Sequence, residues 1–248
     1  MEVTGLFIFH QMIALAIENA RKHTPIFVAM PIERILRRSE ELDDAIVQLL
    51  DLDDYPVYGE DAPRMGLSVT AASLAMEHAR ALRNLVAGGF VSSAVPLMRL
   101  QYEATARSAW LLFAASDEHV TLAAAPLTAE ADEAARKLPL ARDMIKQLRN
   151  ASVAVPAAAA PAAMLGRFDD MQRHALNSFV HGGIHALHRH QDGFPVQIVR
   201  QLIECSNGLV TISAMMLAIL TGDRLLATRM NRVHVGFEDC LTPILSSY

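Results

Sequence analysis

Two glycines at positions 182 and 183 end a polar helical stretch, and the side chains just before them could do acid–base chemistry. Asn177 and His181 are four residues apart, so they share one face of a helix. The imidazole of His181 would then lie beside the helix end, where glycine lets a backbone approach a ligand closely. Imidazole titrates near neutral pH and can take up or release a proton there. We therefore expect a polar site at this turn.

The stretch that ends at the two glycines resembles the signature of the HEPN superfamily. Members of that superfamily are helical bacterial and archaeal proteins that often act as RNases in toxin and antiviral systems. Their signature places an arginine, a polar residue that is often asparagine, and a histidine followed by glycine at a helix junction. Asn177, His181 and Gly182 match the last three positions. Leu176 stands at the position of the arginine, and Arg173, three residues earlier on roughly the same face, could substitute for it.

The resemblance implies a metal-independent endoribonuclease of a defence or toxin–antitoxin system. His181 would act as general base or acid on a ribose 2′-hydroxyl or a leaving oxygen, Arg173 would stabilise the charge of the phosphorane, and Asn177 would orient the phosphate. The alternative is a non-catalytic helical module that binds a partner protein or RNA. In that case His181 caps its helix and Asn177 bonds a neighbouring backbone, and the missing arginine at position 176 favours this alternative.

Histidines are also clustered here, at positions 181, 185, 188 and 190. If the helix continued through the glycines, His181, His185 and His188 would share a face and could hold zinc or iron. The alternative is a partly exposed histidine-rich turn, which the glycines favour because they weaken a helix. The sequence has neither a Glu-x-x-His pair nor a His-Glu-x-x-His motif, and we therefore expect no metal and no other cofactor.

Three charged residues, Arg99, Glu103 and Arg107, follow one another at spacings of four on a helix otherwise rich in Leu, Ala and Val. If they are buried, the cost of unpaired charge requires partners for them, and the His181 turn is one candidate. If they are exposed, they form a surface ladder of ion pairs worth on the order of tenths of a kcal/mol each. An Arg-x-x-x-Glu helix with a His-Gly turn is similar to those of uncharacterised bacterial helical proteins. The candidate binding or supporting residues are Arg99, Glu103, Arg107, Gly182 and His185.

The elements that must position these residues are helices. Apolar residues recur at spacings of three and four, and period-two runs of β-branched residues are scarce, which predicts an all-α bundle of about seven to nine helices. We expect one domain, residues 1–248, with a helical pair in residues 1–60 at its periphery and a loop in the Ala/Pro-rich residues 151–163. The predicted helices are Thr4–His23, Ile32–Leu50, Leu67–Val86, Ser92–Ala115, Glu118–Ala125, Thr128–Asn150, Val196–Leu220 and Arg224–Asp239. A further helix is predicted from Met164, with an interruption at Gly182 and a second break at Gly193. Asp51–Met65 is predicted to be a connection.

Charge and composition narrow the function classes. A net charge of −5 and a pI near 6.0 provide no broad basic face, so we expect no general duplex DNA binding. Cys205 and Cys240 are too few for a disulfide framework, and their apolar contexts predict core residues in a reducing cytoplasm. The sequence contains none of the glycine motifs of nucleotide-dependent enzymes or serine hydrolases.

Two apolar stretches raise the question of a membrane. Met1–Ile17 has no early Lys or Arg and contains His10 and Gln11, so it lacks the layout of a signal peptide. The run Ile212–Leu220 would span about 14 Å as a helix, against about 30 Å for the hydrocarbon core of a bilayer. We therefore expect no membrane association, and the apolar last long helix predicts a homodimer.

Overall fold

The structure is a computed structural model that describes residues 26–50 and 62–242. These residues form ten α-helices and no strand, which confirms the all-α prediction and slightly exceeds its helix count. The predicted helix Thr4–His23 and most of the connection Asp51–Met65 lie outside the described residues. The helices are α1 (Ile26–Leu49), α2 (Pro63–Ala87), α3 (Val91–Phe113), α4 (Asp117–Ala124), α5 (Ala129–Ala135), α6 (Ala141–Ala151), α7 (Ala159–Val180), α8 (Ile184–Asp192), α9 (Val196–Leu220) and α10 (Arg224–Gly236), with 3₁₀ turns at Pro156–Ala158 and Glu238–Cys240.

Helices α2 and α3 form the antiparallel hairpin that the sequence predicts. Pro63 begins α2, where a missing N–H is tolerated, and Gly89 takes a left-handed φ of 81° in the turn before α3. Small side chains such as the fully buried Ala72 let the two helices approach closely. The hydroxyls of Ser68 and Ser108 each donate to the other residue's carbonyl oxygen at 2.9 Å, so the hairpin is also joined by buried hydrogen bonds.

Helix α9 packs along this hairpin and brings polar groups into an apolar interior. Its bounds, Val196–Leu220, are those that the sequence predicts. Gln101 Nε2 donates to the carbonyl oxygen of Ser206 at 2.8 Å, and Ser206 Oγ donates to Gln101 Oε1 at 2.7 Å. Farther along the interface, the hydroxyls of Thr105 and Ser213 lie 3.0 Å apart. All four side chains are buried, so a shift of either helix would leave polar groups without partners.

Of the helices in the described ranges, α9 is the one that is long and apolar enough to cross a membrane. It has 25 residues, and the mean hydropathy of its most apolar window is 1.6. In the structure, 78% of that window is buried inside the protein, as in a core helix. Length and composition alone are therefore weak evidence that α9 is a membrane span.

Helices α6 and α7 pack on another side of α3. Trp110 of α3 is fully buried, and its Nε1 donates to Oε1 of Gln147 on α6 at 2.7 Å. Tyr102 of α3 stacks on Phe168 of α7 with ring centroids 4.8 Å apart. Helix α3 therefore lies at the centre of the fold, between α2, α9, α6 and α7.

The prediction of one helix over Thr128–Asn150 is wrong. The chain forms α5 and α6 instead, separated by residues 136–140. Pro139 lies in this break, lacks the N–H that a continuous helix needs, and disfavours helical geometry at the residue before it.

The prediction of a loop over residues 151–163 is only partly right. A 3₁₀ turn forms at Pro156–Ala158, and α7 already begins at Ala159. Alanine has the highest helix propensity, and proline is tolerated near a helix start, as at Pro161. Ala158 and Ala162 are buried, so part of this segment packs into the core.

Helices α1 and α10 both pack on α9, and Arg38 of α1 joins them to the C-terminal segment. Its Nη2 donates to the carbonyl oxygen of Gly236 at 2.6 Å, and its guanidinium lies 3.9 Å from the ring centroid of Phe237. The predicted helix Arg224–Asp239 ends at Gly236 and is followed by a 3₁₀ turn. Cys205 and Cys240 are buried, unpaired core residues, and burial raises the pKa of each thiol to about 11.

We predict that Gln101→Met lowers the free energy of unfolding by about 1–3 kcal/mol, because it removes both buried hydrogen bonds to Ser206 and leaves the Ser206 hydroxyl without its acceptor. Urea denaturation measures this loss, and Glu77→Gln, at an exposed position of α2, serves as the control with an expected change under about 0.5 kcal/mol. Adding Ser206→Ala to Gln101→Met should cost less than the sum of the single changes. Simple additivity would contradict the pairing.

Candidate functional site

Helices α3 and α7 lie antiparallel, so late residues of α7 face early residues of α3. Arg99 donates from Nη1 to Oδ1 of Asn177, which is 78 positions away in the chain. The same guanidinium donates from Nε to Oε1 of Glu103 at 2.8 Å. The candidate residues of the charged helix and of the histidine turn are therefore joined directly by Arg99 and Asn177.

This contact lies at the edge of the helix interface. The side chains of Arg99 and Glu103 are 29% and 38% exposed, so they are neither core residues nor fully solvated. The interpretation of buried charges with partners holds for Arg99, which is bonded to Asn177 one turn before His181. The interpretation of an exposed ladder holds for the ion pair of Arg99 with Glu103, which remains accessible to water. Arg107 is two turns farther along α3, about 12 Å away along the axis, and its side chain makes no hydrogen bond or ion pair within the described residues.

Arg173 belongs to a second cluster, one turn before Asn177. Its Nη1 lies 3.8 Å from Oδ2 of Asp169, a buried carboxylate. Tyr102 of α3 is only 4% exposed, and its hydroxyl lies close to the carboxylate of Asp169. Burial raises the pKa of Tyr102, and the negative charge of Asp169 raises it further. The cluster therefore places a neutral phenol near a carboxylate–guanidinium pair.

The turn between α7 and α8 ends the helix as the glycines predict. The N–H of His181 donates to the carbonyl oxygen of Asn177 at 3.1 Å, which places the two residues on successive turns, and the His181 side chain is exposed. Gly182 has a left-handed φ of 62°. A Cβ at Gly183 would lie 2.7 Å from the hydroxyl of Ser178, and that hydroxyl accepts the N–H of His185 at 3.0 Å.

In the non-catalytic alternative, His181 caps its helix and Asn177 bonds a neighbouring backbone group. The structure agrees with the first of these two expectations and not with the second. His181 does occupy the C-cap position of α7. The Asn177 side chain, however, accepts from the Arg99 side chain and not from a neighbouring backbone group. Asn177 thus links two helices, and His181, one turn farther along the chain, has an exposed side chain that makes no hydrogen bond or ion pair within the described residues.

The histidine cluster does not have the continuous helix that the metal hypothesis requires. The break at Gly182 puts His185 and His188 on a separate helix, where both are exposed. His188 Nδ1 lies 3.9 Å from Asp192, and His190 Nδ1 lies 3.3 Å from Ser92 of α3. Across the described ranges no three His, Cys, Asp or Glu side chains are grouped to hold a metal ion.

Two residues of the site, Asp169 and Ser178, were not singled out by the sequence analysis. A signal for Asp169 was present, because it continues the spacing of four that joins the candidate residues Arg173, Asn177 and His181. Ser178 had no such signal. Its role depends on the conformation of the two glycines, which brings the backbone of α8 onto its hydroxyl.

Residues 72–243 match the model of a protein family described as a family of unknown function, DUF6988. The match covers more than half of the chain and includes every site residue named above. No curated protein and no solved structure matches the chain significantly.

We predict that the alkaline stability of the protein depends on Tyr102. The phenol ionises in the unfolded chain above about pH 10 but stays neutral in the fold, so unfolding releases one additional proton there. Stability should be intact below pH 10 and should then fall with rising pH by about 1.4 kcal/mol per unit more in the wild type than in Tyr102→Phe. Denaturation at several pH values measures both slopes.

Absorbance at 295 nm provides an independent check of the same prediction. The native wild type and Tyr102→Phe should show the same phenolate absorbance up to the pH at which the fold is lost, because Tyr102 does not ionise before unfolding. A larger absorbance in the folded wild type near pH 10 would mean that Tyr102 titrates normally.

Proposed function

We propose that the chain, which belongs to the DUF6988 family, is a HEPN-like endoribonuclease that cleaves RNA without a metal ion. The family description assigns no function, so the proposal rests on the site. The observation that carries it is the hydrogen bond from Arg99 to Asn177, one turn before His181. A cation, an amide and an imidazole are three groups that a phosphodiester transfer can use.

The contact compensates for the missing arginine of the sequence signature. Leu176, at the arginine position, is 5% exposed and belongs to the core. Arg99 brings a guanidinium to the neighbouring Asn177 from the facing helix. Its Nε and Nη1 are held by Glu103 and Asn177, while its Nη2 makes no hydrogen bond within the described residues. That nitrogen remains free to donate to a phosphate oxygen.

Arg173 has a different place in this proposal from the one the signature suggests. Its guanidinium pairs with Asp169 and lies on the side of Asn177 away from His181. We therefore assign the stabilisation of transition-state charge to Arg99. Arg173 is assigned a contact with a neighbouring part of the RNA backbone.

The proposed reaction is a transesterification. The proton of the ribose 2′-hydroxyl passes to the His181 imidazole as the 2′-oxygen forms a bond to phosphorus. The bond from phosphorus to the 5′-oxygen breaks, that oxygen takes up a proton from solvent water, and the His181 imidazolium returns its proton to solvent. The products are a 2′,3′-cyclic phosphate and a free 5′-hydroxyl. Arg99 donates to the non-bridging oxygens, where negative charge grows, and Asn177 orients the phosphate.

We predict that His181→Ala and Arg99→Gln each lower the cleavage rate of a single-stranded RNA at least about 100-fold, since one removes the proton acceptor and the other a charged donor. Arg173→Gln should reduce the rate less. Cleavage should persist in a chelator and yield 2′,3′-cyclic ends. His174→Ala, at an exposed position of the same helix, is the matched control and should keep full activity. An inert wild type, or equal rates in all four variants, would overturn the assignment.

A second candidate is a non-catalytic interaction module, which the apolar surface next to His181 favours. Val180, Ile184 and Leu187 are 40%, 66% and 66% exposed. This surface, and not α9, is the basis for proposing a homodimer, because α9 is mostly buried within one chain. An exposed apolar patch at a helix turn is typical of a protein–protein contact.

We predict that Ile184→Glu combined with Leu187→Glu converts a dimer into a monomer, because two charges would be desolvated at the interface. Sedimentation velocity distinguishes the two states. Leu127→Glu is the control, since Leu127 is fully exposed between α4 and α5. A wild type that sediments as a monomer contradicts the homodimer. A dimer that never cleaves RNA favours the interaction module.

A further inference from the structure

A groove between α6 and α7 has the charge pattern of a binding site. Its volume is about 500 Å³, within the range of small-ligand sites. One wall is formed by α6, which carries three cationic side chains, and the other by α7, which carries two carboxylates. The charged lining residues are Arg142, Lys146 and Arg149 on α6, Asp143 at its first turn, and Asp169 and Asp170 on α7.

The three cations have no hydrogen-bond or ion-pair partners among residues 26–50 and 62–242. Arg142, Lys146 and Arg149 follow at spacings of four and three, so they share one face of α6. None of their side chains makes a hydrogen bond or an ion pair within the described parts of the chain. Like charges at these spacings repel one another, and a bound anion would remove that repulsion.

A glycine lets one of these cations reach the backbone of α7. A Cβ at Gly166 would lie 2.1 Å from Nη2 of Arg149, so any other residue at this position would require the guanidinium to move. Glycine inside a helix costs about 1 kcal/mol relative to alanine. The glycine in the interior of α7 therefore leaves room for the Arg149 guanidinium to lie against the helix backbone.

The carboxylates on the opposite wall can accept hydrogen bonds from N–H donors of the same ligand. Asp170 is exposed and has no ion-pair partner within the described residues. Asp169 is buried and joins the groove to the cluster of Arg173 and Tyr102. A ligand that fits both walls carries an anionic group together with N–H donors. A nucleotide meets this requirement through its phosphate and the edge of its base.

We propose that this groove holds one nucleotide of an RNA strand, with its phosphate on Arg142, Lys146 and Arg149 and the N–H edge of its base on Asp170. The identity of the substrate rests on the proposed ribonuclease function. Gly166 and Asn177 are eleven residues apart on α7, about 16 Å along the helix, so the groove and the Asn177 site are a few nucleotides apart on one strand. Guanine has two adjacent N–H donors for a carboxylate and uracil has one, so guanine is the preferred base.

Binding of a fluorescein-labelled, single-stranded 2′-O-methyl RNA tests the groove without any cleavage, because this RNA lacks the 2′-hydroxyl nucleophile. We expect Arg142→Gln, Lys146→Gln and Arg149→Gln each to weaken binding about five-fold at 0.1 M salt and to reduce the salt slope by about 0.7, the value for one phosphate contact on a single strand. Arg229→Gln is the matched control, since Arg229 is an exposed cation on α10. It should leave both quantities unchanged.

Two further variants test the geometry. Gly166→Ala keeps every charge but displaces the Arg149 guanidinium, so it should weaken binding in the same direction as Arg149→Gln and by no more than that variant does. Asp170→Asn should reduce the preference for a guanine-rich over a uracil-rich RNA, because an amide replaces one of the two acceptor oxygens. Circular dichroism of each variant confirms that the helices remain folded.

The outcomes separate this inference from the proposed activity. Loss of affinity in the groove variants supports the groove even if no RNA is ever cleaved, a result that would reject the ribonuclease alone. Groove variants that bind like the wild type overturn the inference, even if His181→Ala abolishes cleavage and so supports the ribonuclease. A wild type that does not bind the 2′-O-methyl RNA also overturns it.

Discussion

The buried hydrogen bonds between α3 and α9 set the position of everything else in the fold. Gln101 and Ser206 satisfy each other at the centre of two largely apolar helices. An apolar contact would tolerate sliding, whereas a buried amide that loses its partner costs about 1–3 kcal/mol. The pair therefore gives α3 one register and one rotation. With that rotation fixed, the faces that α3 presents to α2, α6 and α7 are fixed as well.

The rotation of α3 about its own axis determines where its charged side chains lie. The ladder of Arg99 and Glu103 falls at the border between α3 and α7, where the side chains are held but still reach water. Complete burial would have required full neutralisation of both charges, and complete exposure would have left Arg99 without a fixed geometry. At the border, Asn177 and Glu103 hold the guanidinium on two sides. A site that binds an anion needs such a cation, which its partners orient while at least one N–H group stays available to the anion.

Helix α7 connects the two proposed sites. Its interior glycine at position 166 accommodates Arg149 of α6, and its C-terminal end carries Asn177 and His181. Asp169 and Arg173 lie between these points, and the buried phenol of Tyr102 lies against them. A strand bound along α7 would meet cations at both ends. In the Ala/Pro-rich segment at the start of α7, Ala158 and Ala162 are buried and anchor this end of the helix to the core.

The local pattern of residues determined the all-α class, the bounds of α9 and the helix end at Gly182, because periodicity, proline and glycine act within a few residues of themselves. It misjudged residues 128–163, where Pro139 breaks a periodic segment and alanine makes a low-complexity segment helical. The pairing of Arg99 with Asn177 and of Arg149 with Gly166 was decided only by the tertiary structure. Spacing along one helix shows which residues share a face, but which two faces meet depends on how all the helices pack together.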